Sequence, residues 1–255
     1  MNDHLNYDKI APQYDHRFPN NRREGTLNAL RGILSQERPD YILEVGCGTC
    51  HWLKGLRAFR RGEFWGLDLS LGMLKKANIS IGIYLCQASS EQMPFGNSTF
   101  QFLYCVNALH HFNGKQAFIR EAYRVLQNGC KIAIIGMDPS DKRNSWYIYD
   151  YFQGTYHRDL LRFPSWAQVQ SWLNEIGFQN LTFNDVEIIH DPKSGESVFS
   201  DPFLQKTGCS QLALLTEEQY QDGLRRIKQD LSSNKDNPLN FHNHIILSMM
   251  TGIKS

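Results

Sequence analysis

The stretch YILEVGCGTC, residues 41–50, decides the fold class of this chain of 255 residues. It opens with a short apolar run of the kind found in buried strands. Gly46 and Gly48 follow, and a helical pattern begins near His51. Glycine lets the backbone turn sharply and lets a ligand approach where a Cβ would block it. Because doubly wound sheets bind ligands beyond the carboxyl end of such a strand, the stretch predicts a ligand crevice there.

Short apolar runs alternate with helical patterns on both sides of this stretch, which favours a mostly parallel α/β sheet. Seven strands are expected, at 41–45, 64–69, 81–87, 100–106, 131–137, near 181–189 and at 244–252. Helices are expected at 26–36, from about 51, from 71 with Ser70 as N-cap, and at 115–127, 165–176 and 216–231. We predict a single domain over 1–255, with accessory or cap segments at about 1–25, 140–164 and 195–236.

Composition excludes several classes of protein. Lys and Arg total 27 against 26 Asp and Glu, so a net charge of +1 gives no field that steers the chain to nucleic acid or to an anionic membrane. No apolar run approaches the ~18 residues of a membrane-spanning helix, and the start of the chain lacks the pattern of a signal peptide. Six cysteines without that signal predict a reducing, cytoplasmic environment.

The two-glycine turn leaves the type of ligand open. A dinucleotide fingerprint requires Gly-x-Gly-x-x-Gly, and His51 stands at its third glycine position, which disfavours an NAD-dependent oxidoreductase. A nucleoside ligand without a pyrophosphate is the alternative. The pair Cys47 and Cys50 could form a redox couple or half of a zinc site, but no second Cys-x-x-Cys accompanies it, so we expect no metal.

The stretch around Glu44, Gly46 and Gly48 resembles motif I of class I S-adenosylmethionine-dependent methyltransferases, with Cys50 in place of the usual third glycine. DLSLGMLKKA, residues 68–77, resembles the family's D-x-S-x-x-M-L-x-x-A, and QASSEQMPF, residues 87–95, resembles its G-D-A-E-x-L-P-F. The resemblance covers roughly 7–190 and is strongest to the small-molecule, "type 11" or UbiE-like group. It implies a Rossmann-like doubly wound fold and S-adenosylmethionine as cofactor.

The resemblance also implies the cofactor contacts. Asp68 ends the second strand, where a carboxylate can accept hydrogen bonds from both ribose hydroxyls. The opening YDKIAPQYD, residues 7–15, resembles the opening of small-molecule methyltransferases and implies that Tyr14 covers the site. The implied cofactor residues are Tyr14, Glu44, Gly46, Cys47, Gly48, Asp68, Leu69, Met73, Gln87, Ala88, Ser89 and Asn107.

The acceptor side is less closely defined by the sequence. NALHHF, residues 107–112, does not match the [DN]-P-P-[YF] motif of nucleic-acid and protein amide methyltransferases, which favours a small-molecule acceptor and no nucleic acid partner. His111, and after it His110, are the candidate catalytic bases for an in-line methyl transfer. Seven aromatic residues within 146–163 predict an aromatic acceptor pocket. A non-catalytic protein that binds S-adenosylmethionine or another nucleoside is the alternative function.

Overall fold

The computed structural model describes Asp8 and residues 24–79, 81–234 and 237–255. The strands are β1 (Tyr41–Val45), β2 (Glu63–Asp68), β3 (Ile83–Gln87), β4 (Phe100–Val106), β5 (Leu126–Gly136), β6 (Ser145–Trp146), β7 (Phe178–His190), β8 (Lys193–Ser194), β9 (Asn240–Phe241) and β10 (Asn243–Lys254). The α-helices are α1 (Glu24–Glu37), α2 (His51–Phe59), α3 (Leu71–Lys76), α4 (Lys115–Val125), α5 (Tyr147–Tyr151), α6 (Thr155–Arg162), α7 (Trp166–Ile176), α8 (Ser210–Ala213) and α9 (Glu217–Ser233).

The central sheet has the order β3-β2-β1-β4-β5-β10, and β7 and the short β6 both pair with β10. The strands β1 to β5 run parallel, whereas β10 is antiparallel to its neighbours. From β1 the chain adds strands first on one side and then, from β4, on the other. This reversal opens a crevice at the carboxyl ends of β1 and β4. The doubly wound, mostly parallel architecture predicted from the sequence is confirmed, but among the described residues the sheet has eight strands rather than the seven expected, because the short β6 also pairs with β10.

Helices cover both faces of this sheet because the central strands are buried on both sides. In β1, Ile42 belongs to a core layer that includes Leu30 of α1 and Leu53 of α2. Its neighbour Leu43 belongs to the opposite layer, which includes Phe118 of α4. All four residues of β1 after Tyr41 are buried. The rigid β1 therefore fixes the position of the glycine turn that follows it.

The predicted element bounds are close to the observed ones, with one clear difference at β5. This strand begins at Leu126 rather than near Lys131, so α4 ends at Val125 and the Asn128-Gly129 pair lies within the strand. Gly129 has φ 76° there. The Asn128-Gly129 pair correctly indicates that the helix has ended. The start of the strand is visible only in the structure, where Leu126 pairs with Phe100.

A group of helices beyond the sheet, α5, α6, α8 and α9, forms what we call the cover. Phe152, after α5, stacks on Tyr220 of α9 with ring centroids 5.9 Å apart. The Tyr151 hydroxyl donates a hydrogen bond to Asp230 of α9 at 2.9 Å. The cover thus joins two segments distant in sequence. Within the described residues, no helix has the length and apolar character needed to cross a membrane.

Candidate cofactor and acceptor site

A cavity of about 630 Å³ opens at the carboxyl ends of β1, β2 and β4. Its walls come from the turns after these strands, from α3, from the segment between β4 and α4, and from the end of α6. The sequence-predicted site residues that line it are Gly46, Gly48, Asp68, Leu69, Met73, Ala88, Ser89, Asn107, His110 and His111. The fold thus brings together residues implied for the cofactor and residues implied for catalysis.

The glycine turn after β1 forms one wall of the cavity. Gly46 and Gly48 have left-handed backbones, with φ of 77° and 53°. A Cβ at Gly46 would lie 2.4 Å from the Cβ of Ala108, which is too close for any side chain there. The amide of Gly46 donates to the Leu67 carbonyl at 2.7 Å, which ties the turn to β2. The turn therefore presents backbone, without side chains, to the cavity at both glycines.

Asp68 connects the two cofactor-binding segments that the sequence indicates. Its Oδ2 accepts a hydrogen bond from the Gly48 amide at 2.7 Å, and its Oδ1 accepts one from the Ser70 amide at 2.8 Å. Burial raises the pKa of this carboxyl. Each carboxylate oxygen has a second lone pair, so both can still accept a bond from a ligand hydroxyl. The Asp68 side chain therefore holds the glycine turn and the start of α3 in place, and it also presents a polar group to the cavity.

The helix α3 is capped by two side chains. Ser70 accepts a hydrogen bond from the Met73 amide at 3.1 Å, as the sequence predicts for an N-cap. Asp8 accepts from the Ser70 hydroxyl at 2.6 Å and from the Gly72 amide at 2.7 Å. The bond from Ser70 lowers the pKa of the Asp8 carboxyl. These contacts hold Met73 and Leu69 against the cavity.

Three predicted cofactor residues do not line the cavity, and a fourth lies outside the described residues. Glu44 is completely buried, and the Tyr104 hydroxyl donates to its Oε2 at 3.1 Å. Burial raises the pKa of Glu44 well above its ordinary value. Cys47 is also buried, and its hydrogen bond with Cys50 raises the pKa of the Cys47 thiol. The remaining two are Gln87, whose amide donates to the Leu69 carbonyl at 3.2 Å, and Tyr14, which falls among the residues that are not described.

The two histidines lie in a 3₁₀ helix after β4. Their ring centroids are 3.8 Å apart, and the His110 ring stacks on Phe163 with the same separation and an interplanar angle of 11°. Arg162 Nη2 lies 3.3 Å from His111 Nδ1. A guanidinium can only donate, so Nδ1 must accept and the ring proton must be on Nε2. In this arrangement His111 is a neutral ring whose proton is on Nε2.

Arg162 is held in place by a buried carboxylate beneath the cavity wall. Its Nη1 donates to Asp159 Oδ1 at 3.3 Å, and its Nη2 also donates to the Ser210 hydroxyl at 3.2 Å. Asp159 is fully buried and accepts a further bond from the Tyr149 hydroxyl at 2.8 Å. Burial raises the pKa of Asp159. Because this network joins α5, α6 and α8, it fixes the position of Arg162 in the cover.

A second cation lies across from this arginine, at the start of α4. Lys115 lines the cavity, and its ammonium donates to the Phe112 carbonyl at 3.1 Å. Burial and the nearby charge of Arg162 lower the pKa of Lys115. The adjacent carboxylate, Glu91, already accepts hydrogen bonds from the Gly114 amide at 2.7 Å and from the Ser89 hydroxyl at 3.1 Å. Each of its two oxygens thus accepts one hydrogen bond, and the charge of Glu91 raises the pKa of Lys115 in opposition to burial and Arg162.

The predicted aromatic acceptor pocket is wrong. Among the described residues that line the cavity, none of the aromatic residues of 146–163 is present, and α6 contributes Leu161 and Arg162 instead. Trp146 and Phe152 are buried in the core of the cover. A high density of aromatic residues indicates a segment that buries a large apolar surface. Here the cover buries that surface within its own packing, so it is not available to an acceptor pocket. The sequence analysis did not identify Arg162 or Lys115 as site residues. The position of Lys115 a few residues after the two histidines could have indicated that it lies near the site.

Within the described residues, no group of three or more His, Cys, Asp or Glu side chains is arranged to hold a metal ion. Cys47 and Cys50 are both buried next to Glu44, and their neighbourhood raises the pKa of Cys47. A raised thiol pKa disfavours the thiolate that metal binding and redox exchange require.

Comparisons with known proteins agree with this geometry. A family model described as "Methyltransferase domain" matches residues 42–129. Demethylmenaquinone methyltransferase of Listeria monocytogenes is 23% identical over 213 residues, which cover 71% of this chain and 88% of that protein. A putative methyltransferase of Bacillus halodurans has a similar structure, with a TM-score of 0.61, 22% identity and coverage of 89% of this chain and 98% of its own.

A third similar structure is phosphoethanolamine N-methyltransferase 2 of Haemonchus contortus in complex with S-adenosyl-L-methionine. The TM-score is 0.59 at 16% identity; the match covers 97% of this chain and 57% of that one. In this chain, the turn at Gly46 excludes any Cβ, and Asp68 stands beside it with oxygens able to accept from a diol. These features fit an adenosine-bearing ligand. Residues 42–129 therefore match a methyltransferase domain, the chain has the fold of S-adenosylmethionine-dependent methyltransferases, and its cavity fits S-adenosylmethionine as cofactor.

Proposed function

We propose that the protein transfers a methyl group from S-adenosylmethionine to a small-molecule acceptor by in-line displacement. The observation that carries this proposal is the continuity of one cavity, which joins the wall at Gly46 and Asp68 to a second wall at His111, Lys115 and Arg162. Its volume of about 630 Å³ lies within the range of ~300–1,000 Å³ typical of small-molecule sites. A two-walled cavity of this size suits a small acceptor better than a macromolecule, and the net charge of +1 favours no nucleic acid partner.

In this proposal, the residues of the first wall hold the cofactor. Asp68 accepts from the ribose hydroxyls, and the glycine turn allows the close approach of the methionine part. The Ala88 amide already donates to the Asp68 carbonyl at 3.1 Å, so the backbone contact to adenine falls to Ser89. Leu69 and Met73 flank the adenine, Asn107 lies near the methionine end, and Tyr14 covers the site. Glu44, Cys47 and Gln87 support the turn and the neighbouring strand ends from outside the cavity.

The cofactor supplies a methyl group on a positively charged sulfur, which leaves as a neutral thioether. The protein's contribution to such a reaction is alignment of the acceptor and exclusion of water. The cover carries out this exclusion: we propose that segments 140–164 and 195–236 are accessory parts of one domain, built onto the sheet for this purpose. Arg162 and Leu161 bring the cover to the cavity edge.

His110 and His111 remain the proposed catalytic residues, but the geometry favours a particular role for His111. While Arg162 donates to its Nδ1, the ring cannot take a proton at Nε2, where it already has one. His111 would then contact the acceptor as a hydrogen-bond donor. Action as a general base would first require it to leave Arg162.

The experiment that tests the function measures formation of S-adenosylhomocysteine from S-adenosylmethionine carrying a tritiated methyl group. The protein is supplied with a panel of small amines, phenols, thiols, carboxylic acids and phosphate esters, and tritium is followed into the acceptor. Transfer to at least one small molecule supports the proposal. Tight binding of S-adenosylmethionine with no transfer to any of them, or transfer only to RNA, DNA or protein, contradicts it; the first outcome favours a cofactor-binding regulator.

A further inference from the structure

The acceptor wall of the cavity is lined by two cations. Lys115 and Arg162 approach it from different elements, the start of α4 and the end of α6. Burial and then the charge of Arg162 lower the pKa of Lys115, whereas the charge of Glu91 raises it. Two like charges on one wall of a partly buried cavity repel each other. Such an arrangement becomes favourable when an anion binds between them.

The carboxylates near this wall each have partners other than Lys115. Asp159 pairs with Arg162 from below, and it is fully buried and absent from the cavity lining. Glu91 does line the cavity, but its two oxygens accept from the Gly114 amide and from the Ser89 hydroxyl. Asp8 and Asp68 belong to the opposite wall, where they cap α3 and fix the glycine turn. None of the described carboxylates forms an ion pair of 4.0 Å or less with Lys115.

His111 adds a third donor to the same wall. Because Arg162 donates to Nδ1, the neutral ring has its proton on Nε2. An ammonium, a guanidinium and an imidazole N–H together form a wall that consists of hydrogen-bond donors. Three donors on one wall, two of them cationic, favour an oxygen anion over an amine or ammonium group.

We propose that the methyl acceptor bears an anionic oxygen group, a carboxylate or a phosphate, that binds between Lys115, Arg162 and His111. This inference rests on the proposed function and defines the substrate class of the same site. The anion positions the acceptor, and the nucleophilic atom is a different part of that molecule.

The test follows the ammonium of Lys115 by NMR, using protein whose lysines are dimethylated with ¹³C-formaldehyde. The Lys115→Gln variant assigns the signal. The protein is saturated with S-adenosylhomocysteine and titrated with pH in sodium chloride, in inorganic phosphate and in acetate, at one ionic strength. We expect phosphate or acetate to raise the pKa of Lys115 by about one unit, because a nearby opposite charge favours the protonated amine. The signal of Lys228, on the exposed face of α9, serves as the control and should not change.

A binding measurement on variants accompanies the titration. Lys115→Gln should weaken the binding of the effective anion about tenfold, as expected when one charged hydrogen bond is lost, whereas Lys228→Gln should leave it unchanged. A response to phosphate alone assigns a phosphate ester, and a response to acetate alone assigns a carboxylic acid. Thermal unfolding of each variant checks that it is folded.

The outcomes separate this inference from the function on which it rests. If S-adenosylhomocysteine binds but neither anion alters the Lys115 signal more than the Lys228 signal, the anionic acceptor is wrong and methyl transfer to a small molecule still stands. If S-adenosylhomocysteine does not bind, the proposed function fails. If an anion still altered the Lys115 signal in that case, it would bind to a site that holds no methyl donor. The anion could then not be part of a methyl acceptor, and the inference would be wrong as well.

Discussion

At Gly46 a single hydrogen atom in place of a side chain makes the cofactor turn possible. A Gly46→Ala variant would combine a left-handed backbone, which costs ~1–2 kcal/mol for an L-residue, with overpacking against Ala108 at 2.4 Å, which typically costs a further ~1–3 kcal/mol. We expect lower stability to urea and loss of S-adenosylhomocysteine binding by calorimetry.

Gly129 provides a matched control for this substitution. It has nearly the same φ, 76°, but a Cβ there would meet nothing within 4 Å. Gly129→Ala should therefore show only the backbone cost, and it should keep the cofactor affinity of the wild type. Ala108→Gly added to Gly46→Ala should recover part of the lost stability, because it removes the atom that the new Cβ meets. Equal destabilisation by both single variants would contradict the packing explanation.

Asp68 acts on the cavity in two ways, as a wall group and as the acceptor for two backbone amides. We expect Asp68→Ala to weaken S-adenosylhomocysteine binding by about 1–3 kcal/mol, the loss that follows removal of charged hydrogen bonds. Calorimetry measures this directly. Asp222→Ala, on the exposed face of α9, is the control and should bind as the wild type does. Unchanged affinity in Asp68→Ala would refute the ribose assignment.

Among the elements, α3 and α7 offer a comparison between a helix at the site and a helix away from it. Both have a serine N-cap whose side chain accepts from a backbone amide, at Ser70 and at Ser165. Replacement of either by Ala should lower the free energy of unfolding by ~1 kcal/mol, the usual value of such a cap. Only Ser70→Ala should also weaken S-adenosylhomocysteine binding, because α3 carries Met73 and Leu69 precedes it on the cavity wall.

Unfolding in urea and calorimetry on the same two variants decide the outcome. If Ser165→Ala lowered cofactor affinity as much as Ser70→Ala, the effect would come from general loss of stability. The specific contribution of α3 to the site would then be wrong.

For the whole molecule, the buried carboxyl of Glu44 links stability to pH. Burial raises its folded-state pKa well above 4.5, so between these two values the folded chain keeps a proton that the unfolded chain has lost. The free energy of unfolding must therefore fall as pH rises through this window, by about 1.4 kcal/mol per pH unit for one proton. Glu44→Gln cannot lose that proton, so we expect a flatter curve and a variant more stable than the wild type at pH 7.

Urea unfolding at intervals from pH 5 to pH 8 gives the two curves. Burial also raises the pKa of Asp68 and of Asp159, so the variant should keep part of the slope, and the difference between the curves isolates Glu44. Glu218→Gln, at an exposed position of α9, should give a curve parallel to that of the wild type. Parallel curves for Glu44→Gln would show that the buried carboxyl is already ionised at pH 5.

The residues of the first cavity wall could be predicted to lie together because each follows directly from the end of a strand or the start of a helix. The turn at Gly46 and Gly48 follows β1, Asp68 ends β2, and Ser70 caps the next helix, so local backbone rules place each one. The sheet topology follows from the same alternation of strands and helices. The positions of Glu44 and Cys47 behind the turn were not predictable in this way, because burial depends on what α2 and β4 pack against.

The sequence by itself determined the doubly wound sheet, the glycine turn and the carboxylate beside it, since hydrophobic periodicity and glycine conformation act over a few residues. The acceptor wall was decided only by the tertiary structure. Arg162 reaches His111 across 51 positions of sequence, and Trp146 and Phe152 are buried in the core rather than lining the cavity. Such contacts depend on how separate helices pack together, and neither periodicity nor spacing along the chain encodes that packing.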